Sequence, residues 1–346
     1  MKELIKARFR QFNHRALMKM STVSVNTTLY NSLSPFNVTL VVLYSIIVVV
    51  GLAGNSLVIA IVCKTRSMFT PTNILLANVA AADIVSLLWC PIPLVIGFSG
   101  IHVSGKTAEY ICKFFTGYSV TCLTVSVTYL SLIVLAVERF HAIVKPFNST
   151  LTLTNHRMCY VIGFIWLTGV AISLPGFILS EYDERLGRCL DPWTLEKAGS
   201  VKWLYVLSLV ASFSFSGCLF YCYFQILKGI FINRTVCSAE PISSRQSNAK
   251  EKRKLALISF TVTVAYYLCY LPFLVFELYI AFQPYQAILD DYENLYKVYR
   301  VVGFLMYVNS CLNPFFYGFQ SSNYRRNFIR LLTRKTELDN NSITSR

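Results

Sequence analysis

Long apolar runs separated by short polar segments organise the chain between residues 38 and 319. Runs of roughly 20 apolar residues, enough for a helix to cross a bilayer, occur seven times. They fall near 38–63, 72–97, 112–137, 158–179, 203–228, 255–281 and 297–319. Glycine and proline sit inside several of them, which a packed membrane bundle tolerates because neighbouring helices re-satisfy the freed backbone groups. The pattern predicts an all-α seven-transmembrane helix bundle over 38–319, preceded by an extracellular tail over 1–37. Beyond it, in the segment 320–346, Tyr324, Phe328, Ile329, Leu331 and Leu332 interleave with Arg325, Arg326 and Arg330. That spacing predicts a short amphipathic eighth helix lying on anionic membrane lipid, ahead of a cytoplasmic tail.

Composition agrees with this division. Charged residues are 14% of the 346 and hydrophobic ones 55%, with a mean hydropathy of +0.51, whereas a soluble domain carries about a quarter charged residues. The segments 64–71, 138–157, 228–254 and 320–346 hold 18 Lys and Arg against 5 Asp and Glu, while 98–113, 180–202 and 283–300 hold 8 against 9. The basic set is therefore cytoplasmic, which leaves the N-terminus outside and the C-terminus inside. The net charge of +15 is on this reading a topology signal, and nucleic acid is not expected as a partner. Lys2, Lys6, Arg8, Arg10, Arg15 and Lys19 run against the rule. Either the tail is translocated regardless, or translation starts at Met18 or Met20.

Asn26-Thr27-Thr28 and Asn37-Val38-Thr39 are glycosylation sequons on the outer side, with Asn37 close to the membrane. Of the eleven cysteines, only Cys112 and Cys189 lie at the predicted outer face. One pairing is available to them, so a disulfide is expected between the third span and the second outer loop.

Polar residues inside the spans narrow the reading further. Asn55 in span one needs a hydrogen-bond partner in the interior, and Asp83 in span two is expected to supply it. A carboxylate at that depth is a functional hypothesis by default. Span three closes with Glu138-Arg139-Phe140. Span six holds Cys269-Tyr270-Leu271-Pro272, a predicted kink, with Glu277 further out, and span seven ends with Asn309-Ser310-Cys311-Leu312-Asn313-Pro314-Phe315-Phe316-Tyr317. No nucleophile–base pair or metal cluster appears at useful spacing, so an enzyme is not indicated.

Taken in order, Gly54-Asn55, Asp83, Cys112, Glu138-Arg139-Phe140, Trp166, Cys189, Cys269-x-x-Pro272 and Asn313-Pro314-x-x-Tyr317 resemble the landmarks of the rhodopsin-like (class A) G-protein-coupled receptors. The resemblance runs from about residue 40 to residue 332. It implies that Asp83, Thr128, Asn309, Ser310 and Asn313 form an interior pocket able to hold a sodium ion. No other cofactor is expected. It implies that Glu138 and Arg139 form the G-protein switch, that Tyr223 and Tyr317 swing inward to support the opened state, and that Pro272 is the pivot of helix six. A heterotrimeric G protein, an arrestin and membrane lipids are the implied partners.

The departures from that pattern are local. Tyr270 stands where the resembling receptors usually carry a tryptophan, Tyr266 where they carry phenylalanine, and Phe215 where helix five has a proline. Lys252 occupies a position often held by an acid that restrains the arginine, with Glu251 next to it, so raised basal signalling is expected. Cys112 and Arg139 are 27 residues apart, two more than usual, so that an early helix start or a bulge must absorb the excess. Counting back from Arg139 puts Thr121 where amine receptors carry an aspartate, and counting forward from Cys112 puts Ser119 there. Neither is acidic, which disfavours a monoamine, and Tyr307 falls where opsins carry their retinal lysine. With Glu277 at the pocket mouth, Arg300, Tyr307, Tyr270 and Thr121 nearby, and acidic outer loops, an extracellular peptide is the expected ligand. The alternatives are a small amine-like or lipid ligand and, further off, a seven-helix transporter.

Overall fold

A computed structural model describes residues 34–99, 104–117, 119–144, 153–183, 188–190, 202–231, 242–331 and 333. Seven long helices carry the fold: α1 Pro35–Lys64, α2 Pro71–Trp89, α3 Ser119–Val144, α4 Asn155–Leu179, α5 Lys202–Phe231, α6 Ile242–Phe282 and α7 Tyr292–Gln320. An eighth helix, α8, covers 322–331. Five helical stretches among the described residues are long and apolar enough to cross a membrane by length and composition. The other two, α5 and α7, have the length at 30 and 29 residues. The faces turned away from the bundle are apolar, with Val49, Phe164 and Phe220 mostly exposed, as lipid-facing positions require.

Local chemistry sets several of the helix ends. Ser34 and Thr70 cap α1 and α2 by accepting the backbone N–H of Asn37 and Asn73, and a proline follows each cap at the first turn, where its missing N–H costs nothing. α2 ends at Trp89, and a short helix Ile92–Ser99 continues the span beyond Pro91. α6 is longer than its apolar stretch: 41 residues, about 60 Å at 1.5 Å per residue. The basic run Lys250 to Lys254 thus lies on the helix itself, ahead of its apolar stretch.

The third span starts later than its hydropathy predicts. A helix Gly105–Ile111 runs into a wide-turned π segment, Cys112–Thr116, and the chain then breaks at Gly117, whose N–H bonds the Cys112 carbonyl at 2.7 Å. α3 begins only at Ser119. The π segment is a bulge of the kind that the 27-residue spacing calls for, and it leaves α3 uninterrupted from Ser119 past Thr121 to Arg139. Ser119 packs against α4, where a Cβ on Gly176 would meet its hydroxyl at 2.8 Å. Above this break, Cys112 and Cys189 are bonded, with Cα atoms 5.1 Å apart. The bond pins a two-stranded antiparallel hairpin, β1 Glu181–Asp183 and β2 Arg188–Leu190, through the Tyr182–Cys189 pair.

The core is continuous at the inner half, where Val58, Leu75, Leu76, Leu132, Leu135, Ile258, Tyr317 and Tyr324 pack together. Small residues bring α1 close to its neighbours. A Cβ on Gly54 would lie 2.9 Å from the Pro314 ring, and one on Gly51 would lie 2.5 Å from Leu87.

Candidate functional site

The polar residues predicted inside the spans converge between α2, α3 and α7. Asp83, 2% exposed, accepts a hydrogen bond of 2.7 Å from the Asn313 amide. Asp83, Thr128, Asn309 and Ser310 line a cavity of about 20 Å³ together with Ser86, Thr124, Tyr266, Tyr270 and Met306. A water needs about 10–15 Å³, so the cavity has room for one water-sized guest. The side-chain oxygens of Asn309 and Asn313 are buried without a protein hydrogen bond, as is the Tyr317 hydroxyl one helical turn inward. Buried polar atoms are normally satisfied, and each of these can still take a hydrogen bond.

Asn55 does not use Asp83. Its amide donates to the Ser310 carbonyl at 2.7 Å and to the Gly51 carbonyl at 3.0 Å. α1 packs tightly on α7 through Gly54, so the nearest acceptor is α7 backbone, and Asp83 is left to Asn313 and Ser310. Asn78, absent from the sequence reading as a site residue, donates to Ser131 and accepts from the Trp166 indole, both at 2.9 Å. It therefore joins α2, α3 and α4 at one point.

At the inner end Arg139, 6% exposed, bonds both carboxylate oxygens of Glu138, and Glu138 also accepts from Thr72 at 3.0 Å. The side chains of Glu251 and Lys252 lie outside the described residues. Tyr223 faces α6: its hydroxyl donates to the Ser259 carbonyl at 3.0 Å and lies 2.9 Å from the Thr263 hydroxyl. Tyr317 packs on Tyr324 of α8 with centroids 5.4 Å apart, and Tyr324 donates to Asn73 at 3.3 Å. The amide of Gln320 at the end of α7 donates to Thr261 of α6 at 3.0 Å, a tie without a sequence signal.

The residues expected to meet a ligand are only partly brought together. Thr121 and Tyr307 share a hydrogen bond of 2.8 Å across α3 and α7. Tyr270 stacks on Tyr266 at 5.5 Å and faces the cavity. Glu277 is buried on α6 above Pro272. Arg300 turns toward the start of α1, where it bonds Asn37 and sits over the Phe36 ring at 5.5 Å and the Tyr296 ring at 5.8 Å. The Asn37 side chain is thereby engaged in the first turn of α1, while Asn26 lies outside the described residues.

Residues 54–317 match a family model described as the 7 transmembrane receptor (rhodopsin family). The chain is 26% identical over 307 residues to neuropeptide Y receptor type 1 of Xenopus laevis, which covers 84% of this chain and 80% of that one. It is 28% identical over 309 residues to neuropeptide Y receptor type 6 of Mus musculus, covering 85% and 80%. Against the pyroglutamylated RF-amide peptide receptor of Mus musculus the figures are 23% over 301 residues, 82% and 67%. Among solved structures, squid rhodopsin superimposes with a TM-score of 0.69 at 20% identity, covering 84% of this chain and 80% of that one, a likeness of fold.

Proposed function

Because the chain belongs to the rhodopsin family of seven-transmembrane receptors, we propose that it is a plasma-membrane receptor for an extracellular peptide, its N-terminus outside. On this reading it activates a heterotrimeric G protein when the inner half of α6 moves outward about Pro272. The observation that carries the proposal is the buried polar line along α7. Asn313 bonds Asp83 in mid-membrane, and four residues on, past Pro314, Tyr317 is buried beside α8 with an unmatched hydroxyl. A shift of α7 at Pro314 therefore changes the polar pocket and the inner face together. Arg139 must give up Glu138 to meet a partner helix, at a cost of about 1.5–3 kcal/mol for charge-assisted bonds. A ligand that favours the opened state offsets that cost from outside, and by linkage the bound G protein raises the ligand's affinity.

Two things support a peptide. The relatives include proteins named as neuropeptide Y and RF-amide peptide receptors, and the Thr121–Tyr307 pair is neutral where an amine would need a counter-charge. Glu277 and Tyr270 then serve as ligand contacts above that pair, and Arg300 holds the rim of α7 to α1. The pocket also fits a sodium ion, since Asp83 offers a carboxylate, Thr128 and Ser310 offer hydroxyls, and the amide oxygens of Asn309 and Asn313 have no protein donor. Bound there, the cation would neutralise Asp83 and favour the resting packing. An arrestin and anionic lipid beside α8 complete the proposed partners.

A reporter screen of amidated peptides, amines and lipids on cells expressing the full chain tests the proposal. The expected result is a peptide response that Arg139→Ala removes at matched surface expression. A response restricted to amines would overturn the ligand class, and one untouched by Arg139→Ala would overturn the switch.

A further inference from the structure

Halfway through the membrane, three hydroxyls from three helices meet around one backbone carbonyl. Tyr267 of α6 donates to Ser216 of α5 at 2.7 Å. The Ser216 hydroxyl lies 3.0 Å from that of Tyr129 on α3. Tyr129 in turn donates to the Ser212 carbonyl at 2.8 Å, and Ser216 is also within 2.7 Å of that carbonyl. One proton arrangement uses every hydroxyl once, running from Tyr267 to Ser216 to Tyr129 and ending on the Ser212 carbonyl. Such a one-way chain is mutually strengthening. The groups are partly buried at a depth where lipid offers no competing hydrogen bond, so a hydroxyl pulled from the cluster has no water to turn to.

This cluster stands next to the positions where the sequence departs from the pattern it resembles. Phe215, adjacent to Ser216, is about half exposed on the outer face of α5 and leaves that helix without a proline. Tyr129 stacks on Tyr266 at 5.9 Å and Tyr266 on Tyr270 at 5.5 Å. Beyond them, Tyr270 to Phe273 and Phe273 to Tyr299 each measure 6.0 Å. A column of aromatic rings thus leads from the outer part of α7 to the hydroxyl cluster. α5 and α6 are tied a second time further in, where Tyr223 meets Ser259 and Thr263. α5 and the inner half of α6 are therefore bonded to each other at two levels, while α5 packs on α3 through Leu219, Cys222 and Ile226 against Ala136 and Ile143, so the cluster's polar link between α6 and α3 runs through Ser216 to Tyr129.

We propose that the Tyr129–Ser216–Tyr267 cluster is a polar restraint that holds the inner half of α6 against α5 and α3 at rest. When the inner half of α6 moves, Tyr267 is drawn off Ser216 and the hydroxyl chain that ends on Tyr129 opens. Tyr129 is thus a positioning residue for the switch, a role the sequence does not show because a lone tyrosine in an apolar span reads as packing.

The inference rests on the receptor reading, so its test has one readout that depends on coupling and one that does not. Tyr129→Phe, Tyr267→Phe and Ser216→Ala remove hydroxyls and keep the rings and helix, and Tyr160→Phe, a lipid-facing hydroxyl on α4, is the control. Ligand-free signalling at matched surface expression is expected to rise about five-fold in Tyr129→Phe, the shift that one lost hydrogen bond of about 1 kcal/mol produces. The Tyr129→Phe/Ser216→Ala double variant should rise by less than the product of its parts. In purified full-length receptor, amide hydrogen exchange over residues 255–271 is expected to quicken in Tyr129→Phe and Tyr267→Phe but not in Tyr160→Phe. Faster exchange with no signal from any G protein would uphold the restraint and sink the coupling reading. Unchanged exchange in both tyrosine variants, or a signal that falls while exchange holds, would overturn the restraint.

Discussion

The two polar sites inside this bundle are built on opposite principles. Around Asp83, Asn309 and Asn313 each bury an amide oxygen without a protein partner, and Asn309 lines a cavity with room for a guest. Around Ser216, three hydroxyls close on one another and on a carbonyl with contacts of 2.7–3.0 Å. A site with spare acceptors is open to an ion or water and responds to what the solution contains. A site whose hydroxyls are all matched responds only to movement of the helices that carry them. The difference teaches that polar residues at similar depth can serve as a chemical sensor or as a mechanical restraint, depending on how many of their hydrogen bonds the protein already fills.

The comparison breaks most readily at Asn313. Asn313→Ala removes one of the two side-chain donors to Asp83, so thermal unfolding of the purified receptor should show a loss of about 1.5–3 kcal/mol. Asp83→Asn combined with it should lose less than the two singles together. Equal additive losses would mean the two side chains do not act as one site. Gly54→Ala tests the packing that directs Asn55 to α7. The new methyl must displace the Pro314 ring at 2.9 Å, and about 1–3 kcal/mol of destabilisation is expected from overpacking. A neutral outcome would show that α1 shifts freely, and with it the Asn55 bond to Ser310.

Sodium sharpens the contrast further. Replacing sodium with N-methylglucamine should lower the unfolding midpoint of the wild type and of Tyr129→Phe, with no change for Asp83→Asn. Working at about ten times the dissociation constant, the sodium contribution is ~1.4 kcal/mol. Sodium sensitivity lost in Tyr129→Phe would merge the two sites into one. The smallest effect is expected at Asn55→Ala, where one neutral pair to the Ser310 carbonyl is worth about 1 kcal/mol.

Much of the first site was legible in the sequence because each member is costly where it stands. Asp83, Asn309 and Asn313 have no packing reason to occupy apolar spans, and the resemblance to rhodopsin-like receptors implied that they come together. The partner of Asn55 was not legible, because a backbone carbonyl has no residue identity and only the close approach of Gly54 to Pro314 selects it. The spacing from Cys112 to Arg139 called for an early start or a bulge but not for its place, because the π segment at Cys112–Thr116 is a change of hydrogen-bond register without its own residue signature. The second site was the least legible. Tyr129 and Ser216 are ordinary residues in membrane helices, and their joint role appears only when α3, α5 and α6 are packed. Phe215, Tyr266 and Tyr270 stood out as departures from a pattern, and that signal located the altered region without revealing what had replaced the usual parts.

The central claim is that an open polar pocket and a closed hydroxyl restraint both govern the exposure of Arg139. Ligand-free nucleotide exchange by a panel of G proteins, on receptor in lipid nanodiscs with and without sodium, tests it most directly. The account predicts that sodium suppresses exchange in the wild type but not in Asp83→Asn, that Tyr129→Phe raises it about five-fold, and that Arg139→Ala abolishes it in every background. Exchange that persists in Arg139→Ala, or that ignores both Asp83→Asn and Tyr129→Phe, would contradict the account.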